Sequence, residues 1–441
     1  MSFFGQETTV GEILDALGGE VKTGPFGTVL KASEYSQSGV PVISVGEIGH
    51  GEFKIHERTP FVDHTVTTRL PEYVLRRDDI VFARKGSVDR SALVGPEQEG
   101  WFLGSDGIRL RVPGSVSARF VRYWISGEQT KSWLVQNSTG STMASLNQAT
   151  IRRLPIVLPS LTEQREIAAT LGALDDKIEL NRKTAAALEE MARALYRSWF
   201  VDFDPIHAKA GGLAPAHMDA DTAALFPDSF GEDGLPEGWS QARYLDLVEL
   251  ISGGTPKTSE VGYWNGEIPW YSVADAPSRG ELFVHNTEKT ITTEGLKNSA
   301  AKLIDRGTTI ISARGTVGKL AMAGRAMTFN QSCYGLRGRG QSREAFVYFA
   351  TALAVKQLQT MSHGSVFATI TRKTFERLSL PQCPDAVMAA FEDVARCFLA
   401  RIHALGLENQ TLATLRDTLL PRLMSGELRV PAARELVAEV A

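Results

Sequence analysis

Apolar residues recur along this chain in two rhythms, and the pair of rhythms comes twice. The first consists of short apolar runs, Val40–Val45 and Ile80–Ala83, with Ile310–Ser312 in the second half, each broken by Gly, Pro or Asp. Runs of this length between turn residues predict strands. The second rhythm is helical. Leu171, Leu174, Ile178, Asn181, Ala185, Leu188, Ala192 and Leu195 follow alternating spacings of three and four, the seam of a coiled coil with one polar position. Ala395, Phe398, Ile402, Leu405, Asn409, Leu412, Arg416 and Leu419 repeat that spacing. Each seam carries an asparagine, a residue that commonly fixes register or pairing there. A seam of roughly 35 residues is about 50 Å long, and two such helices from one chain can pair antiparallel. The stripes also fit amphipathic helices packed separately on their own heads, although ordinary helices rarely run so far.

The duplication extends to single residues. Gly86-Ser87-Val88-Asp89-Arg90-Ser91-Ala92-Leu93-Val94-Gly95 aligns with Gly315-Thr316-Val317-Gly318-Lys319-Leu320-Ala321-Met322-Ala323-Gly324, an offset of 229 residues. Before these blocks, Asp79–Lys85 answers Gly307–Arg314, Gly39–Val45 answers Gly266–Val273, and Thr23–Gly27 answers Gly253–Lys257. After them, Gly140-Ser141 with Ile151 and Leu154–Ile156 answers Gly364-Ser365 with Phe375 and Leu378–Pro381. Two related units, each of about half the chain, account for blocks that keep their order between diverged stretches.

Length and composition agree with two soluble domains. The chain has 441 residues, 43% hydrophobic and 22% charged, with a net charge of −4. It has no run of the roughly 18–20 apolar residues that a membrane helix needs, and its first residues do not read as a signal peptide. Three cysteines without a CxxC pair suit a reducing cytoplasm. The charge is uneven. Residues 201–238 hold eight acids and one base, Lys209, an excess larger than that of the whole chain, so the remainder is net positive. This stretch reads as an acidic, largely irregular connector.

Catalytic parts are missing. The nearest approach to a phosphate loop, Ala313–Leu320, lacks the first Gly and has Leu320 in place of the magnesium-binding Ser or Thr. His50, His56, Asp63 and His64 match no structural metal spacing. No nucleophile elbow or HExxH helix is present, so no catalytic or metal-binding residue is nominated. What remains is basic charge at glycine turns, repeated in both halves. Gly86 and Gly315 allow a sharp turn, and flanking Arg, Lys, Ser and Thr can reach phosphates or base edges. The candidate DNA-contacting residues are Ser44, Arg84, Lys85, Ser87, Arg90 and Ser141 in the first half. In the second they are Thr255, Lys257, Tyr271, Ser272, Arg314, Thr316 and Lys319. Arg84, Lys85 and Arg314 lead these sets.

Several stretches resemble one family. Leu154-Pro155-Ile156-Val157-Leu158-Pro159-Ser160-Leu161-Thr162-Glu163-Gln164-Arg165-Glu166-Ile167 resembles the junction between the first target-recognition domain and the first central helix in specificity subunits of type I restriction–modification systems. Ile178–Arg182, Ala194–Pro205, Leu235–Trp239 and Leu420–Leu428 resemble other conserved parts of that family. In the second half, Pro381-Gln382-Cys383-Pro384-Asp385 replaces the family's Pro-x-x-x-Gln-Glu junction.

The resemblance implies an α+β fold with an internal pseudo-two-fold repeat. Two β-rich target-recognition domains, 1–158 and 236–381, are separated by a pair of long antiparallel coiled-coil helices, 159–200 and 382–430. An acidic linker, 201–235, and a tail, 431–441, complete the chain. It also implies the partners: double-stranded DNA with a bipartite, asymmetric target, two methyltransferase subunits carrying S-adenosylmethionine, and restriction/translocase subunits using ATP and Mg. The chain itself would bind no cofactor. Leu195, Trp199 and Phe200, left at a helix end, could dock those subunits or close the coiled coil. A coiled-coil scaffold without a DNA role, and an enzyme with an unrecognised site, are the competing classes.

Overall fold

The computed structural model describes residue 5 and residues 7–140, 143–278, 280–340, 343–362 and 369–439. It divides into two compact units, Met1–Asp176 with Leu412–Ala441, and Lys177–Thr411. Each unit therefore holds one β-rich head and one segment of each long helix.

The sheet of the first head contains β1 (Glu20–Thr23), β2 (His50–Gly51), β3 (Ile80–Ala83), β4 (Ser91–Leu93) and β5 (Gly107–Arg111), in the order β1-β5-β3-β4-β2. The second head contains β6 (Val248–Ser252), β7 (Phe283–Val284), β8 (Thr309–Ser312), β9 (Leu320–Ala323) and β10 (Cys333–Gly338), in the order β6-β10-β8-β9-β7. Strand senses match as well. All neighbours are antiparallel except the last pair, β4 with β2 and β9 with β7, which are parallel. The internal repeat seen in the sequence is thus a repeated sheet. Ile80–Ala83 and Thr309–Ser312 are buried at all four positions. Central strands covered on both faces show unbroken apolar runs where a one-sided strand would alternate.

The two predicted seams form helices of 40 residues each, Leu161–Phe200 and Asp385–Met424. In the first unit Asp175 meets Arg416 at 2.7 Å. In the second, the Asn181 amide donates to Asn409 Oδ1 at 3.0 Å, and Tyr196 packs edge-on against Phe391. Numbers rise along one helix as they fall along the other, so the segments run antiparallel within each unit. Asn181 is 3% exposed. A buried amide satisfied only by its counterpart penalises any slip that would leave either one unpaired.

Each head is fastened to the helices in the same way. In the first unit Gln164 Oε1 accepts the Ser117 N–H (2.9 Å) at the start of the helix Ala118–Ser126, while its amide donates to the Pro159 carbonyl (2.9 Å). Asp175 then accepts from Tyr123 (2.6 Å), Arg122 (3.2 Å) and Arg416 (2.7 Å). Burial opposes its charge, but Arg122, the Tyr123 hydroxyl and Arg416 outweigh burial and hold this carboxyl below the usual range. In the second unit Glu392 accepts the N–H groups of Phe346 (2.8 Å) and Ala345 (3.3 Å) at the start of the helix Glu344–Ser362. Glu392 therefore does the work of Gln164 although the junction motif around it has changed. The helix carrying it begins at Asp385, straight after Pro384 and a turn earlier relative to the capping residue.

The acidic connector is more ordered than its charge suggests. It forms the short helices Asp204–Ala210 and Ala220–Ala224. Ile206 and Phe226 are buried, and Phe226 packs on Trp199. Its single base, Lys209, donates to the Ala223 and Phe226 carbonyls. Two apolar anchors, diluted among many acids, fix the segment by burial.

Glu392 gives a testable consequence. Burial raises its carboxyl from the ordinary 4.5 to about 7, against the lowering effect of the two N–H donors. A raised folded-state value means that folding favours the protonated form. The resulting stability is full below about pH 4.5, falls as pH rises towards 7, and is flat above. Glu392→Gln, which installs the amide present at position 164, should remove this slope. At pH 8 it should stabilise the chain by roughly 1–3 kcal/mol. Urea unfolding of both proteins between pH 5 and 8 measures this; parallel profiles would show that Glu392 does not titrate there.

Candidate nucleic-acid interface

In each head the glycine turn joins the two central strands. Residues 84–90 link β3 to β4, and residues 313–319 link β8 to β9. Gly86 and Gly315 adopt φ of 72° and 74°. A side chain at either would meet open space, so the requirement is conformational: this left-handed backbone is easy only for glycine. The turns are stitched in place from behind. In the first head the Gly86 N–H donates to the Ala144 carbonyl (2.9 Å) and Leu146 N–H to the Arg84 carbonyl (2.8 Å). In the second, Ile370 N–H donates to the Ala313 carbonyl (2.9 Å).

A second loop flanks each turn. The Arg84 N–H donates to the Asp106 carbonyl (2.9 Å), and the Ala313 N–H donates to the Ser332 carbonyl (2.7 Å). Arg84 and Ala313 are thus structural counterparts, as are Lys85 and Arg314. Around this common frame the side chains differ. In the first head Arg84 lies 5.2 Å over the half-exposed Phe26 ring and donates to the Ser105 carbonyl (3.1 Å). Lys85 pairs with Asp106 at 3.0 Å. In the second head Arg314, Thr316 and Lys319 are exposed, and neither Arg314 nor Lys319 has an ion-pair partner among the described residues. Thr255 donates to the exposed Gln331 side chain. Lys257 is exposed, its carbonyl accepting the Trp264 indole N–H at 3.1 Å.

The structure sorts the sequence candidates. Arg84, Lys85, Ser87 and Arg90 share one turn, with Ser87 exposed at its tip and Arg90 half-buried. Arg314, Thr316 and Lys319 share the other. Ser44 and Ser272 are half-buried and form matching tight turns. The Ser44 N–H donates to Glu47 (3.0 Å), and both the N–H and hydroxyl of Ser272 donate to Asp275 (2.8 and 2.9 Å). Tyr271 is fully buried in the second head with an unpartnered hydroxyl, and burial pushes its phenol well above the ordinary value. It is a core residue and no contact residue. Ser141 and the Gly364-Ser365 pair lie outside the described residues.

Leu195, Trp199 and Phe200 need a similar correction as docking candidates. Trp199 is 3% and Phe200 1% exposed, inside a cluster with Phe226, Trp239, Phe346 and Phe391. Leu195 packs half-buried against the same cluster. The apolar surface of Trp199 and Phe200 is already covered by this chain, and that of Leu195 in part. Phe26, Ser105, Asp106 and Gln331 were not singled out from the sequence. They reach the turns from strand ends elsewhere in the chain, and the two flanking loops share no residue pattern that could have marked them.

The first unit also contains a cleft of about 610 Å³ lined by His50, Arg122, Lys131, Asp89, Glu128 and Arg416, among others. Asp175 already binds Arg122 and Arg416, so this cleft is no phosphate cradle. No described helix is long and apolar enough to cross a membrane.

Residues 19–190 and 236–385 match the type I restriction modification DNA specificity domain, and the chain belongs to this family. The type I restriction enzyme HindI specificity subunit of Haemophilus influenzae is 26% identical over 349 residues, covering 69% of this chain and 76% of that protein. The MjaIX specificity subunit of Methanocaldococcus jannaschii is 24% identical over 331 residues, covering 74% and 73%. The crystal structure of a type I restriction–modification S subunit from M. genitalium aligns over 95% of each chain, with a TM-score of 0.48 and 15% identity.

Burial separates two variants. Arg314→Ala should weaken duplex DNA binding and reduce the slope of log affinity against log salt by about one. Tyr271→Phe should leave both unchanged, because the hydroxyl faces the core. Fluorescence anisotropy across a salt series reads both; an unaltered slope for Arg314→Ala would move the DNA face elsewhere.

Proposed function

We propose that this chain is the sequence-specific DNA-recognition subunit of a type I restriction–modification complex. Each head reads one half of a bipartite, asymmetric DNA target through its glycine turn and the flanking loop. The antiparallel helices set the unread gap between the halves; half-sites about 34 Å apart place two such readers on one face of the duplex. The chain is non-catalytic and binds no cofactor of its own. It directs two methyltransferase subunits, which carry S-adenosylmethionine, and restriction/translocase subunits, which use ATP and Mg, to the site.

One observation carries this reading. The same turn sits on the same strand order twice, while the side chains around it differ: Phe26, Arg84, Lys85 and Asp106 in one head, Thr255, Arg314 and Gln331 in the other. A shared frame with different rims suits a shared docking mode and two different half-sites. Phosphate contacts position a protein and base contacts specify sequence, so Arg and Lys at the turns supply the first requirement and the variable rim supplies the second. A plain scaffold gives no reason for cations to recur at equivalent turns of both heads.

The test is to co-express the chain with its modification subunits in a host lacking adenine methylation and map the methylated adenines. A gapped motif with two unlike halves is expected. Methylation without a sequence motif, or none above background with folded subunits, would favour the scaffold.

A further inference from the structure

We propose that Gln331 is a base-reading residue of the second head, selecting adenine at one position of its half-site, and that Thr255 is its positioning residue. The inference rests on the DNA face described above and goes beyond it by assigning a base preference to one side chain.

The first argument is placement. Gln331 is the exposed member of the loop Asn330–Ser332, while its two neighbours are half-buried. The loop is held by four hydrogen bonds, two to other parts of the chain and two within its own turn. The Asn330 N–H donates to the Tyr271 carbonyl (2.9 Å) and the Cys333 N–H to the Asn330 carbonyl (3.2 Å). The Ser332 N–H donates to Asn330 Oδ1 (3.0 Å), and the Ser332 carbonyl accepts the Ala313 N–H (2.7 Å). That last bond ties the loop to the residue preceding Arg314. Gln331 therefore projects from rigid backbone beside the strongest phosphate-binding candidate of this head.

The second argument is preorganisation. The Thr255 hydroxyl donates to the Gln331 amide oxygen. The backbone on either side of Thr255 is held by two indoles: Trp270 donates to the Gly254 carbonyl (2.9 Å) and Trp264 to the Lys257 carbonyl (3.1 Å). A glutamine restrained in this way has lost part of its rotamer freedom before binding, which lowers the entropic cost of a specific contact.

The third argument is chemistry. The amide oxygen has two acceptor sites and the nitrogen two donors. With Thr255 using one acceptor site, an acceptor and a donor remain side by side. Adenine offers the complement in the major groove, the N6 donor next to the N7 acceptor, whereas guanine offers two acceptors. At the corresponding position the first head has Ser105, with its carbonyl taken by Arg84 and its neighbour Asp106 paired with Lys85. The preference that Gln331 sets should therefore appear in the second half-site.

The experiment incubates the complete methyltransferase complex, carrying the wild-type chain, Gln331→Ala or Thr255→Val, with a randomised double-stranded DNA pool and sequences the methylated molecules. For Gln331→Ala, discrimination for adenine at a single position of the second half-site should fall roughly 5- to 150-fold, with the first half-site and the gap unchanged. Thr255→Val should lose less at that same position and retain adenine as the preferred base. A uniform loss across all sequences would make Gln331 a phosphate contact and overturn the proposal, as would an unchanged motif. If the wild-type complex itself selected no gapped motif, the recognition function would have failed, a different result from a normal motif that ignores Gln331.

Discussion

One hydrogen bond in the middle of a long apolar seam, from Asn181 to Asn409, stands at the centre of this architecture. Apolar contacts alone tolerate sliding, because one leucine layer resembles the next. A buried amide bonded to a half-buried one does not, since a slip parts the two. Everything that fastens the heads refers back to helices held in this register. Gln164 caps the helix Ala118–Ser126, Glu392 caps the helix Glu344–Ser362, and Asp175 gathers Arg122, Tyr123 and Arg416. In the second unit a register error would displace Glu392 from the helix it caps.

The heads share a frame and differ at its edge. Strand order, strand sense, the left-handed glycine and the backbone bonds from Arg84 N–H to the Asp106 carbonyl and from Ala313 N–H to the Ser332 carbonyl recur. Interior chemistry is freer. In β5, Arg109 is buried, donates to the Glu72 carbonyl and sits beside an Asp79–Arg111 pair. At the corresponding place β10 has Gly335, and the ring of Phe329 fills the space. Burial lowers the affinity of Arg109 for its proton and the neighbouring Arg111 adds to this, while Asp79 and Glu20 offset only part of it. The two interiors are filled by different means, Arg109 in one and the Phe329 ring in the other, on sheets of the same strand order.

Much of the scaffold was legible because it rests on period and punctuation. The seams, the apolar central strands and Gly86 with Gly315 are local patterns with a direct physical meaning. The failures have physical causes too. Tyr271 lies in a block that matches its counterpart, but a one-dimensional match does not tell which face of a strand is covered. Trp199 and Phe200 looked free because their cover, Phe226 and Phe391, comes from distant parts of the chain. Gln331 was invisible because its importance arises only when a loop from one strand end meets a turn from another. The capping role of Glu392 was hidden because the motif around Gln164 is absent there and only the geometry persists.

The first unit is assembled from both extremes of the chain. Its head and the first part of the leading helix end at Asp176, yet Arg416, Leu419 and the helix Val430–Ala438 belong to the same compact body. The second unit, 177–411, is continuous. Synthesis on a ribosome proceeds from the N-terminus at about 5–20 residues per second, so Asp175 emerges well before Arg416 exists. The head made first must wait for residues made last. The head made second can complete its core earlier, giving the two similar halves opposite orders of synthesis and completion.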